Sequence, residues 1–422
     1  MKKILLLFMF PIFVFGQYTS IPDSMFEERL IDFGYDTIHD GQVLTANIIN
    51  VDSLDISYQI LVGGGKIFDL TGIEDFNTLT YLDCNLNNLT NLDVSNNTAL
   101  TNLKCAGQHY PNSNIGLNNL NLSQNNLLET LICDLNPLTS LDVSNNTALT
   151  YLSCGRNQLT SLDVSNNTAL TYLSCYDIGL TILDLSQNNL LETLICDLNP
   201  LTSLDVSQNP NLTSLHCTSN QLNILDVSQN TSLKILSCSF NNLTSLDLTQ
   251  NSVLTHFFCS NNNLMSLDLR NGNNANLNNA NTSSGYLFAF DVKDNDSLFC
   301  ISVDDSAWSA NNWPLPATPW PVNNWANIDN HTSFSNDCNP STAGVIENLN
   351  NFLIYPNPTS EVITISIENF NGNIQTEVYD LIGNRLQTTN ETTISLRDYS
   401  KGIYILKVTY GDRVQEVKVI KD

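Results

Sequence analysis

Eleven cysteines are the most reactive side chains in this chain. Nine of them form a ladder: Cys84, Cys105, Cys133, Cys154, Cys175, Cys196, Cys217, Cys238 and Cys259. Seven of its eight steps are 21 residues long, and the step from Cys105 to Cys133 is 28. Thiols at such positions could bind a metal, pair as disulfides or act as nucleophiles. Metal binding calls for C-x-x-C spacing and tetrahedral convergence, and the ladder has neither. A fixed period of this length marks one supersecondary unit stacked many times. Neighbouring coils then lie about 4.8 Å apart, with side chains in register pointing the same way rather than at each other. The ladder is therefore expected to hold free, buried thiols that behave as small hydrophobes. Cys300 and Cys338 stand off the ladder and are expected to form a disulfide.

A second row is carboxylate: Asp93, Asp142, Asp163, Asp184, Asp205, Asp226, Asp247 and Asp268, interrupted by Asn121. Each precedes an inward apolar residue and so faces solvent. Stacked carboxylates repel one another, and hard oxygens in a row could recruit Ca²⁺. The G-G-x-G-x-D pattern of calcium-binding β-helices is absent. Solvation and hydrogen bonds to neighbouring Ser and Thr are the expected state of the row, and no cofactor is expected beyond this Ca²⁺ option.

Catalytic constellations are missing. The five histidines (His39, His109, His216, His256 and His331) include no H-E-x-x-H, and no G-x-S-x-G is present. Gly63-Gly64-Gly65 lacks the ending of a phosphate loop. Four tryptophans gather at Trp308, Trp313, Trp320 and Trp325. They could stack sugars or seal the end of a stack, and sealing is the expectation.

The elements that position these residues are read from one coil, residues 149–169. Its first half is Leu149-x-x-Leu152-x-Cys154-x-x-Asn157, and its second is Leu159-x-x-Leu162-x-Val164-x-x-Asn167. Side chains alternate in each short strand, so Leu152 and Cys154 point in and Ser153 points out. Asn at the corner supplies an amide for backbone groups left unpaired there. In the first half this rule fails at Gln108 and Ile178. The segment 122–144 is copied without change at 185–207, 63 residues or three coils later. Seven extra residues fall between Ala106 and Asn119 and are read as an insertion that leaves the stack intact.

These halves resemble the leucine-rich repeat, L-x-x-L-x-L-x-x-N/C-x-L, over residues 51–269. They are most similar to the 21-residue repeats of secreted Bacteroidetes proteins, whose N-terminal cap also begins with a segment like IPDSMFEERLIDFG (residues 21–34). The resemblance implies a mainly β solenoid, with a parallel strand stack on its concave face and little helix. Extended concave surfaces are what solenoids use to bind. The outward row there is Asp83, Lys104, Ile132, Ser153, Ser174, Ile195, His216, Ser237 and Phe258, with Tyr81, Tyr151, Tyr172 and Tyr176 beside it. Inward positions repeat while this row varies, so structure alone does not dictate it. Tyr81, Asp83, Lys104, Tyr151, Tyr172, Tyr176, His216 and Phe258 are the candidate ligand-binding residues.

The chain ends are different in kind. Lys2 and Lys3, an apolar run from Ile4 to Phe15 and Gly16 have the layout of a secretory signal peptide, residues 1–16. No later run reaches the roughly 18 apolar residues of a membrane span. Residues 17–50 read as an N-terminal cap with an amphipathic helix, capped by Asp23 or Ser24 and ended by Gly34. The solenoid follows at 51–270 and a C-terminal cap at 271–345. Residues 351–422 carry period-2 runs at Val362–Ile367, Gln375–Tyr379 and Tyr404–Val408, which read as a small β-sandwich. That tail resembles the type A C-terminal sorting domain of type IX secretion, through Tyr355-Pro356-Asn357-Pro358, Val378-Tyr379-Asp380 with Gly383, and Gly402-Ile403-Tyr404. The resemblance implies export by that machinery, removal of the tail, and a product released or attached to the outer cell surface.

The net charge of −26 is concentrated: residues 17–350 hold 33 acids against seven bases. Such a surface repels phosphate backbones, so nucleic-acid binding is not expected. The expectation is a non-enzymatic binding or adhesion protein for a protein or polysaccharide. The runners-up are a polysaccharide-processing enzyme with its site in the Trp-rich cap, and a structural surface stalk.

Overall fold

The computed structural model describes residues 16–58, 65–107, 116–278, 289–313, 326–338, 352–355, 359, 361–367, 372, 374–380, 384–410 and 413–421. The signal-peptide run, most of the insertion after Cys105, and Trp320 and Trp325 lie outside them. The chain divides into two compact units, one up to Ser333 and one from Phe334.

The first unit opens with β1 (Tyr18–Ser20), α1 (Ser24–Asp32), β2 (Gln42–Leu44) and α2 (Thr45–Ile48). Strands β1 and β2 pair antiparallel. Asp23 caps α1 by accepting from Met25 N at 2.9 Å and Phe26 N at 3.0 Å. Its other carboxylate oxygen takes Phe68 N and Asp69 N, at 2.8 and 3.1 Å, and so ties the helix to the first coils. Phe26 and Leu30 are fully buried, and Phe26 stacks on Phe76 at 6.4 Å. Phe33 is exposed, because it is the C-cap before Gly34 turns the chain at φ 78°. Glu27 is buried and accepts from the backbone N–H groups of Asp40, Gly41 and Gln42 at 2.8, 2.5 and 3.2 Å. It holds the loop after α1 in place.

The stack follows as β3 (Ser53–Asp55), β4 (Tyr81–Asp83), β5 (Asn102–Lys104), β6 (Thr130–Ile132), β7 (Tyr151–Ser153), β8 (Tyr172–Ser174), β9 (Thr193–Ile195), β10 (Ser214–His216), β11 (Ile235–Ser237), β12 (Ser245–Asp247), β13 (His256–Phe258), β14 (Ser266–Asp268), β15 (Phe290–Asp291), β16 (Cys300–Ser302) and β17 (Ala326–Asn327), with α3 (Ser306–Asn312) before β17. One twelve-stranded sheet runs β3 to β11, then β13, β15 and β17. Its strands are parallel and in register. Leu131, Leu152, Leu173, Leu194, Leu215 and Leu236 sit opposite one another and are fully buried. On a second wall β12, β14 and β16 pair in parallel. This is the leucine-rich-repeat fold. The stack continues past Leu269 into the segment read as a C-terminal cap: Phe257 pairs with Phe290, and Phe290 with Ala326.

Corner chemistry follows the asparagines. Asn157 Nδ2 donates to Cys154 O at 2.8 Å and to Cys133 O of the preceding coil at 3.1 Å. Its Oδ1 accepts from Leu138 N at 3.2 Å. Asn167 Nδ2 donates to Val143 O at 3.0 Å and Asn146 O at 2.9 Å. Two residues after each cysteine the backbone turns left-handed. Leu135, Arg156, Asp177, Leu198, Ser219, Phe240 and Asn261 have φ between 51° and 58°. That region disfavours residues with a Cβ, yet the repeat needs it to leave the strand.

The second unit holds β18 (Ser333–Ser335, shared with the boundary), β19 (Phe352–Tyr355), β20 (Val362–Ile367), β21 (Ile374–Tyr379), β22 (Arg385–Thr389), β23 (Thr393–Ser395), β24 (Gly402–Tyr410) and β25 (Arg413–Lys421). Two antiparallel sheets, β19-β20-β23 and β22-β21-β24-β25, enclose one core that includes Ile363, Ile394, Val378, Leu406 and Val419. Alternation of apolar residues along β24 produces its alternating burial.

Candidate binding face

Each three-residue strand of the long sheet buries its second residue and turns its first and third outward; most of these are half-buried, and Asp83, Ser153, Ser174 and His256 are buried. The candidate residues fall on this pattern. Tyr81, Tyr151 and Tyr172 are first-position residues of β4, β7 and β8, while Asp83, Lys104, His216 and Phe258 are third-position residues of β4, β5, β10 and β13. Tyr176 lies two residues beyond β8. The structure gathers them into separate groups.

The first group is Tyr81, Asp83 and Lys104. Lys104 Nζ donates to Tyr81 Oη at 3.0 Å, lies 3.6 Å from Asp83 Oδ2, and stands 5.1 Å from the centre of the Tyr81 ring. Tyr81 Oη in turn donates to Asp83 Oδ2 at 3.3 Å. The hydrogen bond that Lys104 donates to Tyr81 raises the Lys104 pKa above its usual value against the opposing effect of burial.

The second group is Tyr151, Tyr172 and Tyr176. The Tyr151 and Tyr172 rings stack at 4.1 Å and 3°. Burial, reinforced by the Tyr172 hydroxyl, pushes the Tyr151 phenol well up. Tyr176 lies over Gly155, where a Cβ would meet the ring at 2.1 Å. A side chain at position 155 would have to displace that ring. Arg156 stacks on the Tyr176 ring at 5.8 Å and lies 3.7 Å from Asp177.

His216 and Phe258 form no common group. His216 Nε2 lies 2.9 Å from Ser214 Oγ. Burial lowers its pKa while Asp197 opposes that shift. Phe258 has His256 as its aromatic neighbour, at 6.4 Å.

Sequence reasoning missed Asp134 and Asp197, which follow the inward cysteines. Asp134 Oδ1 accepts from Ser153 Oγ at 2.8 Å and Gly155 N at 2.9 Å. Asp197 Oδ1 accepts from Thr218 N at 2.6 Å. Burial raises both carboxyls above their usual range. The signal was available: both lie at the same position of the segment copied at 122–144 and 185–207.

The ladder thiols are buried and none is disulfide-bonded. Burial pushes up the thiols of Cys105, Cys133, Cys154 and Cys217. Several reach the next coil's carbonyl, including Cys84 to Lys104 O at 3.4 Å and Cys154 to Ser174 O at 3.6 Å. Cys300 and Cys338 are disulfide-bonded.

The outer aspartates turn back on their own chain. Asp163 Oδ1 accepts from Ser165 N at 2.9 Å, and Asp142, Asp184, Asp205 and Asp226 repeat the arrangement with the residue two ahead. Hydrogen bonds from Ser165, side chain first, lower the Asp163 pKa. Among the described residues, the acids placed closely enough for a shared cation are Glu27, Asp36 and Asp40. Three backbone N–H groups already occupy Glu27 Oε1.

Trp313 is fully buried, stacks on Phe290 at 4.7 Å and meets Trp308 edge-on at 5.8 Å. It closes the core beneath β15. No helix among the described residues is long and apolar enough to cross a membrane.

Residues 353–422 match the secretion system C-terminal sorting domain. The fold is similar to the functional domain of InlJ from Listeria monocytogenes, which includes a cysteine ladder. That likeness has 26% identity and a TM-score of 0.55, covering 96% of this chain and 99% of that one. An internalin C2 from the same species has 23% identity and a TM-score of 0.45, covering 55% and 99%. A leucine-rich-repeat protein of Leptospira interrogans has 20% identity and a TM-score of 0.42, covering 61% and 75%. No curated protein matches the chain. The tail makes this an exported protein, carried by type IX secretion and released or held at the outer cell surface.

Proposed function

We propose that this leucine-rich-repeat chain with its secretion sorting tail is a non-enzymatic binding or adhesion protein. It holds a protein or polysaccharide on the outward face of the long sheet, and the signal peptide and sorting domain are removed on export. One observation carries this reading. Inward positions repeat from coil to coil as leucine and cysteine, while third-position residues change from Asp83 to Lys104, Ser153, His216 and Phe258. A scaffold that repeats and a surface that does not is the pattern of a recognition wall. Tyr81, Asp83, Lys104, Tyr151, Tyr172, Tyr176, His216 and Phe258 are its proposed contact residues.

The test is retention of polysaccharides and cell-surface extracts on the purified chain, with product release scored in parallel. Retention without products supports binding. Released products that vanish in Trp308→Ala would support the enzyme reading, and neither retention nor products would support a structural stalk.

A further inference from the structure

The wall already contains one bound cation, its own. Lys104 sits against the Tyr81 ring and within reach of Asp83, so a lysine head is held by an aromatic face and a carboxylate. Farther along the sheet the same two ingredients recur. Asp134 is 9% exposed and borders Gly155 and Ser153 through its hydrogen bonds. The Tyr176 ring lies where a side chain on Gly155 would project. The Tyr151–Tyr172 stack rises from the strands that carry Ser153 and Ser174. These two serines stand where the earlier coils place Lys104 and Ile132, so the floor beside the tyrosines is small.

Asp134 forms no ion pair among the described residues. The nearby Arg156 lies over the Tyr176 ring and 3.7 Å from Asp177. A carboxylate held this far from water without a counter-charge is costly. A guanidinium or ammonium group would offset that cost and gain cation–π attraction from the rings. The surrounding charge has the sign that favours such a guest: 33 acids against seven bases over residues 17–350.

We propose that the patch of the outward face around Asp134, Ser153, Gly155, Tyr151, Tyr172 and Tyr176 receives a lysine or arginine side chain of a partner polypeptide lying along the long sheet. This deepens the binding reading and rests on it. The polypeptide takes the part that Lys104 plays at Tyr81 and Asp83, and the patch selects a basic protein partner over a neutral glycan.

The test uses the full chain and fluorescence anisotropy with short oligo-lysine and oligo-arginine peptides, with a neutral polysaccharide as the second probe. Asp134→Asn keeps the oxygen that accepts from Ser153 and Gly155 while removing the charge. Asp163→Asn removes an equal charge from the outer row. We expect Asp134→Asn to weaken peptide binding roughly tenfold or more and Asp163→Asn by less than about twofold. Tyr172→Ala should weaken it as well, with melting temperatures checked for all three variants. Equal weakening by Asp134→Asn and Asp163→Asn would overturn the proposal, because it would reduce the effect to diffuse charge. If the polysaccharide binds in a Tyr172-dependent manner and the peptides do not, the cation proposal fails and the binding reading stands. If neither probe binds, both fail.

Discussion

Tyr151 and Tyr172 lie face to face on adjacent strands, their ring centres 4.1 Å apart and their planes 3° from parallel. They are 21 residues apart, one coil. The register of β7 on β8 places them there, and that register is set by Leu152 over Leu173. A buried row therefore decides the geometry of an exposed one. The binding account depends on this relation: packing positions the surface, and the surface is left to vary.

The thiol ladder has a pH consequence. Burial raises the pKa values of Cys105, Cys133, Cys154 and Cys217 in the folded state above the ordinary value of 9.0. Unfolding frees these thiols to ionise at ordinary pH. Their stabilising contribution is thus complete below about pH 8.5 and is lost as pH rises toward the folded-state values. Denaturant midpoints should fall steadily on the alkaline side. Thiol reagent at neutral pH should label the ladder only after denaturation; rapid labelling of the native chain would contradict this packing.

Asn167→Ala should cost about 2 kcal/mol. It deletes donors to Val143 O and Asn146 O in a fully buried corner. Urea unfolding of the variant measures the loss directly, and a change within error would show that the corner relaxes without its amide.

Leu198→Gly should stabilise the chain by roughly 1 kcal/mol. Leu198 is half exposed at φ 58°, so little packing is lost and left-handed strain is relieved. A lower melting temperature for this variant would mean that the leucine makes contacts that outweigh the strain.

Chelation should leave the melting temperature unchanged. The outer aspartates spend an oxygen on their own backbone, as Asp163 does on Ser165 N. A clear drop in EDTA, restored by Ca²⁺, would make the carboxylate row a structural metal site.

Much of the fold was legible because its period is short and repeats many times. Leu152, Cys154 and Asn157 announce an inward strand and a corner in a way that a single copy could not. Asp23 and Gly34 marked both ends of α1. The continuation of the stack into Phe290 and Ala326 was hidden, since the 21-residue spacing breaks after Cys259 and the pairing survives on only two residues per strand. The candidate face was legible as a row but not as groups. Lys104 meeting Tyr81 requires a side chain to reach back across a strand, and Tyr176 over Gly155 requires the left-handed turn at Arg156. Neither is a matter of spacing. Asp134 was missed because an acid beside an inward cysteine looks like ordinary solvated surface until Ser153 and Gly155 close around it.

The most direct test of the account is retention of polysaccharides and surface extracts by the full chain with the long-sheet face altered. The Tyr151→Ala, Tyr172→Ala double variant removes the stacked pair, while Ile224→Ser alters the second wall, in the row that continues as Ser245 and Ser266. The account predicts that retention falls by about tenfold in the tyrosine variant, the scale of hot-spot aromatics, and is unchanged in Ile224→Ser. Equal retention by the tyrosine variant and the unaltered chain, or loss only in Ile224→Ser, would contradict it and move the binding surface off the long sheet.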